Sequence, residues 1–211
     1  MVTPSPAAAA AATDSRIRDA ILDAVERLLG RYGYQKMTMD DIAREAGIAR
    51  RTIYLHFPSK EEVALCSIDR VVERVLERLR EIAGDETLPT PERVRRMLVA
   101  RILTRIDSVR DYHGSLDSLF EALRPAYMKR RGGYFDAESR VFADVLTAGV
   151  EDASLSLPED PVTTARTLLI ATNALLPYSL SVRELGERAE IAARAERVAA
   201  LLLTGLVRRA A

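Results

Sequence analysis

The stretch from Thr38 to Lys60 constrains the fold of this chain more than any other, because its pattern is that of two short helices joined by a tight turn. Thr38 and Asp41 have the spacing of an N-cap pair, and apolar residues at helical spacing follow them. Gly47 then stands where the turn requires a positive φ, which glycine adopts without strain. A second helix is predicted to begin near Ala49. The stretch therefore predicts a helix-turn-helix unit.

The second predicted helix carries a polar surface at its N-terminal end. Ile53 and Phe57 have the spacing to pack against the first helix. Arg50, Arg51 and Thr52 then lie together on the opposite surface. A DNA major groove admits one α-helix, and it presents guanine N7 and O6 to an arginine or a thymine methyl to a threonine. These residues therefore predict a surface that reads DNA bases.

Further polar residues follow this surface along the chain. Tyr54 and His56 offer neutral donors suited to phosphate oxygens, which position a protein on DNA without reading its sequence. Lys60 falls in the first turn of the next helix, where a cation opposes the helix dipole, and this indicates an anionic partner nearby. A solvated lysine is the competing interpretation for Lys60. For the whole stretch, the alternative is an ordinary helical hairpin with a basic end.

The segment TIYLHFPSKEE, together with the helix-turn-helix pattern before it, resembles the TetR family of bacterial transcriptional regulators. The resemblance begins with an amphipathic helix predicted at about residues 16–29 and covers roughly the first third of the chain. It implies DNA contacts at seven positions, namely Thr38, Arg50, Arg51, Thr52, Tyr54, His56 and Lys60. Ala49 departs from the family pattern, which often has a serine cap there, so the recognition helix is expected to have a less fixed start.

The composition narrows the classes of protein. The 211 residues are 48% hydrophobic, which is ample for a globular core. Lysine plus arginine and aspartate plus glutamate both number 31, so affinity for an anionic polymer must come from a local patch. The single cysteine, Cys66, excludes an intramolecular disulfide and is expected to be a small buried hydrophobe rather than a redox sensor. Two histidines and one cysteine, widely spaced, predict no metal site.

The periodicity predicts an all-α chain of about nine helices with no strand. Residues 1–13 are predicted to be a disordered tail, with the alternative that their alanines extend the first helix backwards. Residues 14–62 are predicted to be the helix-turn-helix DNA-binding domain. A helix over 59–83, whose start has the Ser-x-x-Glu spacing of a capping box, is expected to link it to a helical domain over 63–211.

Within the second domain, turn signals set the expected helix boundaries. Thr90-Pro91 and Asp160-Pro161 have the pattern of an N-cap followed by proline at the first helical position. Gly132-Gly133 is expected to separate a helix over about 116–130 from another over about 134–152. The last helix is predicted at about 187–207.

The family resemblance implies a small-molecule pocket among the middle helices and a homodimer formed through the last two helices. Those two helices have more apolar surface than one face requires, which agrees with a partner, and a thick monomer core is the alternative. Aromatic and polar side chains interleave in the middle helices, as suits an apolar ligand with a few hydrogen bonds. For each aromatic residue, core packing is the competing interpretation. The candidate ligand contacts are Arg101, Arg105, Phe120, Tyr127, Phe135, Phe142 and Asn173.

The sequence thus predicts a transcriptional regulator, expected to be a repressor that binds a palindromic operator in double-stranded DNA as a homodimer and is released by a small-molecule effector. A helical protein–protein adaptor is the alternative, although it leaves the basic helix surface unexplained. No catalytic residue or cofactor is predicted, because no nucleophile-elbow motif, phosphate-binding glycine loop or clustered catalytic set occurs. Neither a signal peptide nor a membrane span is indicated, so a cytoplasmic location is expected.

Overall fold

The computed structural model describes residues 6–207, which form nine α-helices joined by short connections. The helices are α1 (Pro6–Lys36), α2 (Met39–Ala46), α3 (Arg50–His56), α4 (Lys60–Ala83), α5 (Thr90–Val109), α6 (Leu116–Glu151), α7 (Pro161–Thr172), α8 (Val182–Gly186) and α9 (Arg188–Thr204). Single 3-10 turns occupy Arg110–Ser115, Asn173–Leu175 and Pro177–Ser179. The only extended pairing within residues 6–207 is one isolated bridge between Leu155 and Val207. The prediction of an all-α fold is confirmed.

The helix-turn-helix formed by α2 and α3 has the local geometry that its sequence predicts. The Thr38 hydroxyl accepts a hydrogen bond from the Asp41 backbone N–H, and the Asp41 carboxylate accepts one from the Thr38 N–H, both at 3.1 Å. Gly47 ends α2 with a φ of 68°. The side chains of Ile53 and Phe57 are fully buried, so α3 is anchored by the same apolar core as α1 and α2.

α1 extends beyond its predicted limits in both directions. It begins at Pro6, so the alanine run lies in the helix, as the alternative interpretation had it, and the predicted tail is wrong for residues 6–13. Alanine has the highest intrinsic helix propensity, which accounts for this extension. Residues 1–5 of the predicted tail lie outside the described part. At its other end α1 continues past residue 29 to Lys36, with one non-helical residue, Gly33, at a φ of 72°.

α6 runs unbroken from Leu116 to Glu151, so the prediction of two helices separated at Gly132 and Gly133 is wrong. Each glycine in a helix costs only about 1 kcal/mol relative to alanine. Side-chain contacts with α4 on both sides of the glycines, described below, offset that cost. Pro125 also lies inside α6, on an exposed face.

The remaining helix starts follow their predicted signals to different degrees. Asp160 caps α7, because its Oδ1 accepts hydrogen bonds from the two following backbone N–H groups at 3.0 and 3.1 Å. Ser59 caps α4 through the Glu62 N–H, but the Glu62 carboxylate binds α6, so only half of a capping box forms. For α5 the N-cap is Pro89 rather than Thr90, whose hydroxyl donates to an aspartate after α6 instead.

α5 lies at the centre of the larger, C-terminal part of the molecule, between α4, α6 and α9. Four of its apolar residues are fully buried, namely Val94, Met97, Leu98 and Ile102. α4 contacts both α1 and α5, so it belongs to the packing of both parts of the chain. The predicted last helix is α9, and the short α8 before it was not predicted. No described helix is long and apolar enough to cross a membrane.

Candidate nucleic-acid interface and internal pocket

α3 presents a basic, solvent-exposed surface at its N-terminal end. Arg50 and Arg51 are exposed, and Thr52 beside them is half-buried. The Arg50 Nε lies 3.1 Å from the Oδ1 of Asp40, with both side chains more than half exposed. Exposed pairs of this kind contribute little to stability. Arg51 has no ion pair or hydrogen bond with any residue of the described part, so both guanidinium groups are accessible to acceptors in a groove.

Other predicted contact residues surround this surface. Tyr54 is 43% exposed, and the Arg50 guanidinium lies 5.7 Å from the centroid of its ring. Thr38 is exposed, but its hydroxyl is held in the cap of α2, where it donates to the Asp41 carboxylate at 2.6 Å. Leu55, which was not predicted as a contact, is 76% exposed. Its position opposite the buried face of α3 is the sequence signal that could have identified it.

His56 and Lys60 are half-buried and contact α1. The His56 side chain is only 10% exposed, and its Nδ1 lies 3.4 Å from the Oδ1 of Asp14 in α1. The Lys60 Nζ donates to the carbonyl oxygens of Tyr34 at 3.1 Å and Gln35 at 3.5 Å, and it lies over the Tyr34 ring. The negative end of the α1 dipole therefore supplies, within the chain, the partner that the sequence indicated for Lys60.

The first turns of α4 are bound by α6. One Arg130 nitrogen donates to both oxygens of Glu62 at 2.7 and 2.9 Å, and the other donates to Asp69 at 2.6 Å. The Tyr134 hydroxyl also donates to Asp69. Burial, and then the hydrogen bond to Asp69, raise the pKa of Tyr134, so this phenol stays protonated. These contacts join the middle of α6 to the part of α4 that directly follows the helix-turn-helix.

α1 makes a second connection between the two parts of the molecule, at the 3-10 turn between α5 and α6. The Ser115 hydroxyl donates to the Leu29 carbonyl at 3.3 Å. A Cβ on Gly30 would lie 2.9 Å from the Asp111 carbonyl oxygen, so a larger residue there would force the backbones apart. The helix that supports α2 and α3 is therefore packed closely against the end of α5.

A pocket of about 690 Å³, a volume that includes its opening to solvent, lies between α4, α5, α6 and the turns near residue 175. Six of the seven predicted ligand contacts line it, namely Arg101, Arg105, Phe120, Tyr127, Phe135 and Asn173. The prediction of Phe142 as a lining residue is wrong, because its side chain is fully buried in the core. Phe142 lies one helical turn beyond Glu138, past the charged side chains that close the pocket.

Three charged side chains form the closed end of the pocket. The Arg101 Nε donates to the Oε2 of Glu138 at 2.6 Å, and an Arg105 Nη donates to the other oxygen of the same carboxylate. The Arg101 and Glu138 side chains are 3% and 2% exposed, and that of Arg105 is 11% exposed. The remaining Arg101 donors bind the Thr172 hydroxyl at 2.9 Å and the Asn173 amide oxygen at 3.0 Å. Burial lowers the pKa of the Arg101 guanidinium, and the Glu138 carboxylate opposes that shift.

Aromatic rings line the rest of the pocket. The ring of Phe120 contacts those of Tyr127 and Tyr178 edge-on, with centroids 5.7 and 6.3 Å apart. The Arg131 guanidinium lies 5.9 Å from the centroid of the Tyr178 ring. Burial raises the pKa of the Tyr127 hydroxyl, which therefore remains a hydrogen-bond donor at neutral pH. Tyr178, Arg131 and Glu138 were not predicted. Two arginines four residues apart on one helix face were the signal that a buried carboxylate must lie opposite them.

Cys66 lies buried in α4, as predicted for a small hydrophobic residue. Burial raises the pKa of its thiol, which keeps it protonated and unreactive at neutral pH. Within residues 6–207, no group of three or more histidine, cysteine, aspartate or glutamate side chains is placed to hold a metal ion.

Known proteins resemble this chain in both sequence and fold. The sequence model of the bacterial regulatory proteins of the tetR family matches residues 21–65. An uncharacterized HTH-type transcriptional regulator of Mycobacterium tuberculosis, Rv1255c, is 31% identical over 148 residues, which cover 70% of this chain and 67% of the relative. The crystal structure of a transcriptional regulator from Cytophaga hutchinsonii superposes with a TM-score of 0.72 at 17% identity, covering 90% of this chain and 98% of the other. The SmeT–triclosan complex gives a TM-score of 0.66 at 21% identity, covering 92% of each chain.

Proposed function

Because this chain belongs to the TetR family and is a helix-turn-helix transcriptional regulator, we propose that it represses transcription from a palindromic operator, which it binds as a homodimer and releases when a small molecule enters its pocket. The observation that carries the proposal is the pairing of an exposed basic surface on α3 with an internal pocket, joined through α4. The structural likeness to SmeT with triclosan supports small-molecule binding by this fold. Turnover of the bound molecule is not part of the proposal.

In this proposal α3 is the recognition helix. Arg51 is exposed and unpaired within the described part, and Arg50 contacts only the exposed side chains of Asp40 and Tyr54 there, so both are suited to hydrogen-bond guanine. Thr52 would contact a thymine methyl, and Thr38 and Tyr54 would contact phosphates.

The contacts of His56 and Lys60 within the chain support an indirect role. Both residues touch α1; the His56 side chain has little exposed surface, and the Lys60 ammonium group is engaged by carbonyl oxygens of α1. We therefore assign to them the positioning of α3 and α4 against α1, while direct contact with DNA stays a prediction from the family resemblance.

The proposed dimer forms through α7 and α9, the last two long helices. Ile170 on α7 is 63% exposed and Leu201 on α9 is 75% exposed, so each of these helices presents a large aliphatic side chain to solvent. Burial of these residues against a second copy would remove that apolar surface from water. A two-fold dimer places its recognition helices in successive major grooves, about 34–36 Å apart.

Release of the operator is proposed to act through α6 and α4. On α6, Tyr127 and Arg131 line the pocket, while the neighbouring Arg130 and Tyr134 bind side chains of α4. A shift of α6 on ligand binding would therefore move the start of α4. That start lies at the predicted boundary between the DNA-binding domain and the C-terminal domain. A coupling of about 1–3 kcal/mol, equivalent to about 5–150-fold in operator affinity, is typical of such systems.

The first experiment is selection of bound duplexes from a randomised DNA pool, followed by titration of the selected site with the full chain. A palindromic consensus that binds two chains per duplex is the expected result. Weak binding without sequence preference would instead favour the adaptor function, and would leave the exposed arginines of α3 without a role in base reading. The selected site then serves as the probe in screens for compounds that release it.

A further inference from the structure

The charged residues that line the pocket are not balanced. Three arginines and one glutamate line it, namely Arg101, Arg105, Arg131 and Glu138. One carboxylate binds two guanidinium groups at the closed end, and nothing in the described part forms an ion pair with Arg131. Asp69 on the facing helix α4 is already bound by Arg130 and by the Tyr134 hydroxyl. The pocket therefore carries an excess of positive charge.

Excess positive charge at the buried end of this pocket is costly, because Arg101 and Arg105 lose hydration that the one shared carboxylate of Glu138 replaces only in part. A cationic ligand would add to that cost. A neutral ligand would leave it unchanged and displace further water. An anionic ligand would reduce it and would form charge-assisted hydrogen bonds with the guanidinium groups.

Unused donors mark the position for the anion. Arg105 donates through its two terminal nitrogens to Glu138 and to the Arg101 carbonyl, so its Nε has no partner within residues 6–207. Arg131 lies over the face of Tyr178 and has no hydrogen bond or ion pair within residues 6–207. The Tyr127 hydroxyl donates to no residue of the described chain, and the Tyr127 ring lies beside the same Tyr178 ring, with centroids 6.3 Å apart. Arg105, Tyr127 and Arg131 all line the one pocket. A carboxylate beside Tyr127 would meet all three donor groups.

The rest of the pocket suits an apolar body. Its other walls are aromatic and aliphatic, formed by Phe120, Phe135, Tyr178, Ile68 and Val72. We propose that the effector is an amphipathic organic acid whose single carboxylate binds among Arg105, Tyr127 and Arg131 and whose apolar body packs against the aromatic wall. This inference rests on the proposed function, since it names the ligand class of the same pocket.

The test compares compounds that share one apolar body and differ only in the polar group. Decanoate, decanol and decylamine form one series, and phenylbutyrate, phenylbutanol and phenylbutylamine form a second. Binding to the full chain is measured by calorimetry in the absence of DNA, because the chain has no tryptophan to report binding by fluorescence. In at least one series the acid should bind about tenfold or more tightly than the alcohol, and the amine should bind most weakly.

Arg131→Gln tests the site itself. This side chain is half-buried and has no ion pair in the described part, so its replacement should leave the fold intact. The variant should lose about tenfold in affinity for the acid and keep its affinity for the alcohol. Arg140→Gln is the matched control, because Arg140 lies exposed on the same helix, outside the pocket lining. It should bind all the compounds as the wild type does.

Equal binding of acid and alcohol, tightest binding of the amine, equal loss in the two arginine variants, or no binding by any compound would each overturn the ligand class. Release of the selected operator is measured separately. If an acid binds but leaves operator affinity unchanged, the proposed release of DNA by ligand is wrong, whereas the proposed ligand class stands. If an alcohol binds most tightly and releases the operator, the proposed release by ligand stands, whereas the proposed ligand class is wrong.

Discussion

Removal of the Glu138 carboxylate tests the electrostatic description of the pocket most directly. Glu138→Gln keeps the size of the side chain but leaves Arg101 and Arg105 buried with no anion between them. Breaking a buried ion pair by removing one partner costs about 3–5 kcal/mol. The 11% exposure of Arg105 lets water reach one of the two cations, so we expect a loss near the lower end, about 3 kcal/mol. Typical domains have about 5–15 kcal/mol of stability, so the variant should still fold.

Urea unfolding of the wild type and the variant gives the free energy of unfolding, provided that the slope m is unchanged. Glu121→Gln is the control, because Glu121 is exposed on the same helix and has no ion pair in the described part. Arg105→Met should recover part of the loss when it is added to Glu138→Gln, since one of the two uncompensated cations is then gone. A loss below about 1 kcal/mol, or a second substitution that destabilises both backgrounds equally, would refute the reasoning.

Four further outcomes are expected. Arg51→Ala should reduce the discrimination between bases at one operator position by about 1–3 kcal/mol in a binding titration. Unchanged selectivity would contradict a base contact. Lys60→Met should lower the free energy of unfolding by about 1 kcal/mol, because the contacts with the α1 carbonyls are lost. If the variant is instead as stable as the wild type, and the slope of log DNA affinity against log salt falls by about one, Lys60 contacts a phosphate directly. Leu201→Glu should yield monomers in sedimentation, and persistent dimers would place the interface elsewhere. Replacement of both Gly132 and Gly133 by alanine should raise stability by about 1–2 kcal/mol in urea unfolding, because both are already helical and open to solvent, and destabilisation would mean that α6 needs them.

The helix-turn-helix could be predicted closely because its signals act over short distances. Thr38 caps α2 through a residue three positions away, and Gly47 adopts its left-handed conformation within a single turn. The continuity of α6 could not be predicted in this way. The contacts of Arg130 that hold it join residues more than sixty positions apart, and a glycine pair indicates a break unless such contacts are known.

The pocket was predicted more fully than its chemistry. Arg101, Arg105 and Asn173 stood out because charged and amide side chains are rare within apolar helix patterns. Phe142 was wrongly included, because an aromatic residue suits a core and a pocket equally well. The two cannot be told apart until the register between α6 and α5 is known. Glu138 was missed for the same reason: its pairing with both arginines depends on the register between two helices.

Under the proposed function, the adjacent residues Arg130 and Arg131 would connect the pocket to the DNA-binding helices. Arg130 binds carboxylates of α4 and Arg131 lines the pocket, so consecutive positions on α6 contact the two different regions. Because the two side chains share one helical backbone, an anion that shifts α6 through Arg131 would move Arg130 as well. Glu62 lies in the first turn of α4, directly after the helix-turn-helix, and it would receive that movement first. The excess positive charge of the pocket thus supplies a reason for ligand binding to move α6, and the Arg130–Glu62 contact supplies a path to the DNA-binding helices.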